Sequence, residues 1–348
     1  MFTHIERQTQ SCLPASAPVV SGMGMALPSR LVSSAEIDRR LGKPEGWLER
    51  ACGVAARPVA GPGDTQEGMG AAAARTALAE AGLTLDDLDL ILFGASVGRQ
   101  PIPATAPLIK RELGGAHLAF PAYDVNATCL SALVALDMAS LQIASGRARH
   151  VLVVTSEIAS RALPWADAPE TAGLFGDGAA AFILSAPGHL QEAGLRFGGF
   201  HMETFAEGYD ACTLASGGTG IDFHADPAAF ARNAWFRMDG RALYRITAAA
   251  LPGFLDRLLG RSGLTRREID LVVPHQASPH ALAHIIRRGG FSADRVIDRV
   301  RTLGNQVAAS LPVALNLART EGRILPGMRI LLIGTSAGVS LAGAILET

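Results

Sequence analysis

Apolar and polar positions along the chain fall into short buried-looking runs separated by polar turns. Val19 to Ala26 reads as a first strand, and Ser33 or Ser34 caps a helix running towards Leu41. Trp47 to Cys52 is a second short amphipathic segment, Pro58 to Asp64 a Gly/Pro loop, and Met69 to Ala81 an alanine-rich helix stopped at Gly82. Residues 1–17 read as a loose polar leader. From Leu130 to Ser145 the chain has no proline or glycine and a single charge, Asp137, and Gly146 stands where a left-handed cap is expected. This helix is apolar on nearly all faces, which places it in the middle of the protein. An extended-looking run, Ala122 to Ala127, leads into it. Cys129 therefore stands at a buried helix N-terminus, where unpaired N–H groups and the macrodipole favour a thiolate. By itself a cysteine there is more often packed core than nucleophile.

The pattern also repeats. Gly82-Leu83-Thr84, a polar turn and the apolar run to Ala95 return as Gly263-Leu264-Thr265 and the run to Gln276, 181 residues later. Val134-Ala135-Leu136 returns as Val313-Ala314-Leu315 at 179, and Ser145-Gly146-Arg147 before Val151–Thr155 returns as Glu321-Gly322-Arg323 before Ile330–Gly334. Three echoes in one order at nearly one offset predict two similar α/β halves, roughly 18–185 and 186–348. The helix of Cys129 and one beginning near Val307 are then pseudo-symmetric partners, their N-termini close together in a shared helical layer. His275 ends an apolar strand of the second half, and Asn305 precedes its central helix. Both are expected to converge on Cys129, because open α/β folds put their chemistry at strand ends and helix starts.

Composition narrows the classes. In 348 residues Lys+Arg numbers 31 against 32 for Asp+Glu, so no bulk charge argues for nucleic acid or an anionic membrane surface. With 49% hydrophobic but only 5% aromatic residues, the interior suits tight helix-on-sheet packing. Cys12, Cys52, Cys129 and Cys212 are scattered, with no CxxC pair or Cys/His metal spacing, so neither a metal nor a disulfide is expected, and the location expected is cytoplasmic. No run reaches the ~18 apolar residues of a membrane helix.

Asp124-Val125-Asn126-Ala127-Thr128-Cys129, Phe175-Gly176-Asp177-Gly178-Ala179, Val273-Pro274-His275-Gln276-Ala277, Leu303-Gly304-Asn305-Gln306-Val307-Ala308-Ala309-Ser310 and the glycine loop Gly334-Thr335-Ser336-Ala337-Gly338 occur in order. Together they resemble the β-ketoacyl-acyl-carrier-protein synthase III family of thiolase-fold condensing enzymes, from about residue 18 to the C-terminus. The resemblance implies a thiolase-like fold, the two α/β halves stacked in five layers, αβαβα, and a homodimer. It implies an acyltransferase with a Cys129, His275, Asn305 triad and no cofactor beyond its acyl-CoA or acyl-carrier-protein substrates. Cys129 takes an acyl group from a thioester, and the N–H groups of Cys129 and Gly338 suit the oxyanion. A malonyl-type thioester then loses carbon dioxide, neutral His275 and the Asn305 amide donate to the enolate oxygen, and the carbanion attacks the acyl group. Gly334 to Gly338 also fits the hydrolase nucleophile elbow G-x-S-x-G, but no histidine follows it, so that reading fails on order.

Some substrate positions depart from the family. Trp47 matches the tryptophan at the tunnel mouth, but the arginines expected to hold a nucleotide fall on Ala51 (beside Arg50), His280 and Pro169. None of these replaces a guanidinium fork at a phosphate, which favours an acyl carrier protein or a longer acyl donor over acyl-CoA held in the usual way. Arg287 and Arg288 could offer such a carrier a basic patch. Ile102 matches the position that often plugs the acyl pocket across the dimer interface, and isoleucine there leaves room for a longer or branched chain. Fatty-acid initiation and a specialised pathway both stay open. Two rivals remain: a same-fold acyltransferase that makes an ester or amide without condensation, and a non-catalytic subunit of a heteromeric synthase.

Overall fold

A computed structural model describes residues 11–188 and 194–348. Nine strands form one sheet: β1 (Val19–Ala26), β2 (Leu90–Gly94), β3 (Ala122–Val125), β4 (His150–Glu157), β5 (Gly178–Ser185), β6 (Leu195–Thr204), β7 (Leu271–Pro274), β8 (Arg329–Ser336) and β9 (Ser340–Glu347). Their order is β7-β8-β9-β6-β1-β5-β4-β2-β3. The middle is a narrow seam, because β1 and β6 pair antiparallel only through Val19 with Arg196 and Val20 with Leu195. On either side the same arrangement recurs. Parallel neighbours, β2 with β4 and β7 with β8, are each followed by an antiparallel pair, β4 with β5 and β8 with β9. Strand β3 lies parallel to β2, and its counterpart beside β7 is a single parallel bridge between Val272 and Val296.

Five helices give the layers: α1 (Gln66–Ala81), α2 (Ser131–Ala144), α3 (Gly240–Arg261), α4 (Pro279–Gly289) and α5 (Ser310–Thr320). Thr65 starts α1 by accepting the Gly68 N–H, and Gly82 at φ 66 ends it. Its alanine face lies so close to β1 that a Cβ on Gly22 or Gly24 would fall 2.1 Å from the Ala77 or Ala73 carbonyl oxygen. Small residues are thus required on both sides of that contact. The largest core cluster joins Leu133, Leu136 and Ile143 of α2 and Leu311, Leu315 and Ala318 of α5 to residues from both parts of the sheet. A second cluster packs α1 outside the first part, and a third packs α3 and α4 outside the other. The layers run helix, sheet, helix, sheet, helix, which is the thiolase-like fold.

Residues 1–10 of the expected leader lie outside the described residues, but 11–17 are not loose. Leu13 and Ala17 are buried, the Cys12 N–H donates to Glu347 Oε1 at 2.9 Å, and Arg196 Nη2 donates to the Leu13 carbonyl at 3.0 Å. Their apolar positions pack against the strands that those polar anchors reach.

Candidate active site

Cys129 sits on a tight turn rather than in the first turn of the α-helix. Thr128–Leu130 is a 3-10 turn that runs into α2 at Ser131. Thr128 holds φ at 51, an unusual value for a residue with a branched Cβ, and side chains fasten the turn on both sides. Asn126 Oδ1 accepts the Thr128 N–H at 2.9 Å while its Nδ2 donates to the Ser96 carbonyl. Ser131 Oγ accepts the Ala127 N–H at 2.9 Å.

The second half builds the same turn 179 residues later. Val307–Ala309 is a 3-10 turn leading into α5, Val307 has φ 52, Asn305 Oδ1 accepts the Val307 N–H at 2.8 Å, and Ser310 takes the place of Ser131. Asn305 therefore fastens the turn through Oδ1 and keeps a donor to spare on Nδ2. One Nδ2 hydrogen goes to the Ala277 carbonyl at 3.3 Å, and an amide nitrogen carries two. Neighbouring backbone fixes its place, since the Asn305 N–H donates to the Leu174 carbonyl at 2.7 Å and Phe175 forms a parallel bridge with it. The glycines of Phe175-Gly176-Asp177-Gly178 do not have positive φ. They permit close approach instead: a Cβ on Gly176 would lie 2.3 Å from the Leu303 carbonyl oxygen, and one on Gly178 2.4 Å from Gln306 Nε2.

His275 follows β7 directly. Its N–H donates to the Ile333 carbonyl, and its Nδ1 meets Ser310 Oγ at 2.5 Å. Gln276 locks the segment through Nε2 to the Pro274 and Ile297 carbonyls and Oε1 to the Arg299 N–H. Gly334 is what lets this segment meet the Cys129 turn, because a Cβ there would come within 2.9 Å of both His275 Cβ and Leu130 Cδ2. Cys129, His275 and Asn305 line one cavity of about 1770 Å³.

Burial dominates the electrostatics. The Cys129 thiol is pushed up to about 12 by burial, then by Glu157 and Cys212, against the opposing pull of the Ala337 and Cys129 backbone amides. The expectation of a thiolate stabilised by the helix start is thus reversed: desolvation outweighs the amides, and the resting group is the thiol. Glu157, which ends β4 in the cavity wall, is raised to about 8 by burial although the Ser96 N–H donates to it at 2.6 Å. His275 is lowered to about 4 by burial, so its ring is neutral at physiological pH. The alkylation rate of Cys129 by iodoacetamide, followed by mass spectrometry, is therefore expected to rise about tenfold per pH unit from 7 to 10, tracking the thiolate fraction. A plateau below pH 8 would contradict the raised thiol.

The other predicted positions divide. His280 lines the cavity, as does Ala51. Trp47, Arg50, Ile102 and Gly338 do not belong to its lining. Trp47 packs in a small apolar cluster with Lys43 Nζ 5.1 Å from its ring, and Arg50 lines a separate groove with Glu49 and Arg301. Ile102 is 86% exposed. In the glycine loop Ala337, rather than Gly338, lines the cavity and offers its amide to Cys129, because Gly338 at φ 81 belongs to the turn into β9. Sequence reading missed Glu157, Ser310, and the cavity-lining Arg161 and Arg241. For Ser310 the signal was available: Asn126 and Ser131 repeat as Asn305 and Ser310, five residues apart in each half.

Comparison with known proteins agrees with this geometry. Two family models match, "3-Oxoacyl-[acyl-carrier-protein (ACP)] synthase III" over residues 123–205 and its C-terminal counterpart over 259–348. A β-ketoacyl-[acyl-carrier-protein] synthase III of Rhizorhabdus wittichii is 36% identical over 330 residues, covering 94% of this chain and 98% of that protein. The crystal structure of the 3-oxoacyl-[acyl-carrier-protein] synthase III of Aquifex aeolicus superposes with a TM-score of 0.83 at 26% identity, covering 95% of this chain and 100% of the other. The priming β-ketosynthase of a polyketide biosynthetic pathway also gives 0.83, at 28% identity over 96% of this chain and 98% of its own. With coverage this complete and identity at this level, the chain belongs to the 3-oxoacyl-[acyl-carrier-protein] synthase III family, the thiolase-fold condensing acyltransferases.

Proposed function

We propose that the chain carries out a decarboxylative Claisen condensation by ping-pong acyl transfer through Cys129. The observation that carries this reading is the meeting of Cys129, His275 and Asn305 in one cavity, each on a turn fixed by side-chain hydrogen bonds. Cys129 gives up its proton and attacks the donor thioester, and the departing thiol takes a proton. The amides of Cys129 and Ala337, which reach the sulfur, serve the oxyanion in this reading. The acceptor's carboxylate leaves as carbon dioxide, and its electron pair becomes the enolate. Neutral His275 and the remaining Asn305 hydrogen stabilise the enolate oxygen. The α-carbon then attacks the acyl-Cys129 carbonyl, the carbon–sulfur bond breaks, and the released thiolate takes a proton from solvent to restore the thiol. No step calls on a metal or a redox cofactor.

The preferred acyl carrier is a protein. Ala51 and His280 line the cavity at two positions where the resemblance expects a guanidinium fork for a nucleotide phosphate, and Arg99, Arg161, Arg241 and Arg287 line the same cavity at positions where it expects none. Changing His280→Arg is expected to lower the KM for acyl-CoA about tenfold with little change for the acyl-carrier-protein donor. Steady-state kinetics with one acyl group on both carriers checks this, and an equal change for both would overturn the carrier preference. A cytoplasmic homodimer completes the reading. Strand β3 ends the sheet with an unpaired edge, and Ile102 lies exposed in the loop that leads from β2 towards it. Carbon dioxide release on mixing acyl and malonyl thioesters separates the reading from its rival: acyl transfer to an alcohol or amine without decarboxylation would establish the non-condensing acyltransferase instead.

A further inference from the structure

Ser310 is buried at the start of α5, and its hydroxyl has more claimants than it can serve in one way. Its Oγ lies 2.5 Å from His275 Nδ1, 3.0 Å from the Val307 carbonyl oxygen and 3.3 Å from the Gln276 N–H. A hydroxyl has one proton and two lone pairs. The Gln276 amide can only donate, so it occupies a lone pair, and the Val307 carbonyl can only accept. The serine proton therefore goes either to Val307 or to His275. In the first case Nδ1 must carry the ring proton, and the cavity meets a bare Nε2 lone pair. In the second, Nδ1 is the acceptor and Nε2 carries the proton.

One observation favours the second. The Val307 carbonyl already accepts the Ser310 backbone N–H, so it stays satisfied when the hydroxyl turns away. The other half of the molecule offers a comparison, since Ser131 at the equivalent place spends its hydroxyl on the Thr128 and Ala95 carbonyls and meets no imidazole. The same turn-fastening serine therefore has a second task only where a histidine faces it.

We propose that Ser310 is a positioning residue that donates its hydroxyl proton to Nδ1 and so holds His275 in the Nε2–H tautomer, the form that can donate to an enolate oxygen. The inference rests on the condensing role proposed above for His275. A neutral ring has only one proton, and at Nε2 it stabilises the enolate, whereas a lone pair at Nε2 would repel it. Cys129 acylation does not need that donor, so the two half-reactions respond differently to Ser310.

The test combines a spectrum with a kinetic split. In ¹⁵N-histidine-labelled protein, the His275 signals are assigned by their loss in His275→Asn, and wild type is expected to show a protonated Nε2 with Nδ1 as acceptor. Ser310→Ala is expected to mix the tautomers and to slow malonyl decarboxylation about tenfold to a hundredfold, less than outright loss of an oxyanion donor because part of the population keeps the proton on Nε2, with acylation of Cys129 slowed less than about threefold. Ser310→Thr, which keeps the hydroxyl, is expected to restore both the spectrum and decarboxylation, which separates the proton from any packing defect of the alanine variant. A protonated Nδ1 in wild type, or equal slowing of both half-reactions in Ser310→Ala, would overturn the proposal. Because the spectrum needs no turnover, it judges Ser310 even if decarboxylation fails in wild type, a result that would count against the condensing reading itself.

Discussion

Cys129→Ala is expected to be a folded protein that forms no acyl adduct and makes no condensation product, a loss of about 10³-fold or more in turnover. The fold should survive because the change removes one sulfur at the cavity wall. The turn that presents residue 129 is held by Asn126 and Ser131, and neither side chain bonds to the thiol. Chemistry should not survive, because the intermediate is a thioester on that sulfur. Circular dichroism checks the first part, and intact-protein mass spectrometry after exposure to acyl donors the second. Cys212 makes the experiment discriminating, since it is the other thiol of the cavity apart from Cys52. An adduct that persists in Cys129→Ala and maps to Cys212 would move the nucleophile.

The next largest effect is expected from His275→Ala and Asn305→Ala, and it should fall on one half-reaction only. Each variant removes one donor to the enolate oxygen, and removing one such donor costs about 10²–10³-fold, or roughly 3–4 kcal/mol of transition-state stabilisation. Acylation of Cys129 should persist in both, because its oxyanion is served by backbone amides. The double variant is expected to lose far less than the product of the two single losses, since the donors act on one oxygen. Rapid-quench measurement of acyl-Cys129 beside labelled carbon dioxide release reads both halves. Asn305→Ala also removes the acceptor of the Val307 N–H, so its melting temperature should fall while that of His275→Ala changes less. Parallel loss of acylation and decarboxylation in His275→Ala would mean that the histidine also serves as base to the thiol.

Much of the fold was legible because it is written twice. The echoes at offsets of 179 and 181 place β2 against β7, β4 against β8 and α2 against α5, and each pair occupies matching positions in the two parts of the sheet. Local signals were also sufficient where a cap or a glycine marks an end, as at Ser33 and Gly82, but the cap at Thr65 was passed over, and the helix read from Met69 starts at Gln66. The long helix α3 was not legible, because Pro252 and Gly253 interrupt its pattern and its arginines blur the polar face. Strand β5 was missed for another reason: its alanines are buried on both faces and show no alternation.

At the site, the convergence of Cys129, His275 and Asn305 on one cavity could be read because all three stand at ends of buried elements. What local pattern could not supply was the balance between burial and backbone amides. A helix start argues for a thiolate, yet desolvation and Glu157 hold Cys129 as a thiol, and only the packed structure sets those magnitudes. The same limit applies to Ala337 and Gly338. The loop was visible, but which amide turns towards the sulfur depends on where Gly338 adopts its left-handed φ.

The central claim is that the acyl group on Cys129 is the one that enters the new carbon–carbon bond. The most direct measurement is a single turnover: acylated enzyme is freed of donor, mixed with malonyl-acyl-carrier-protein, and followed by mass spectrometry with trapping of carbon dioxide. One carbon dioxide and one β-ketoacyl product per acyl-Cys129, with the enzyme returning to its unmodified mass, is the predicted result. An adduct that persists, or that disappears as free acid while malonyl thioester is untouched, would contradict it.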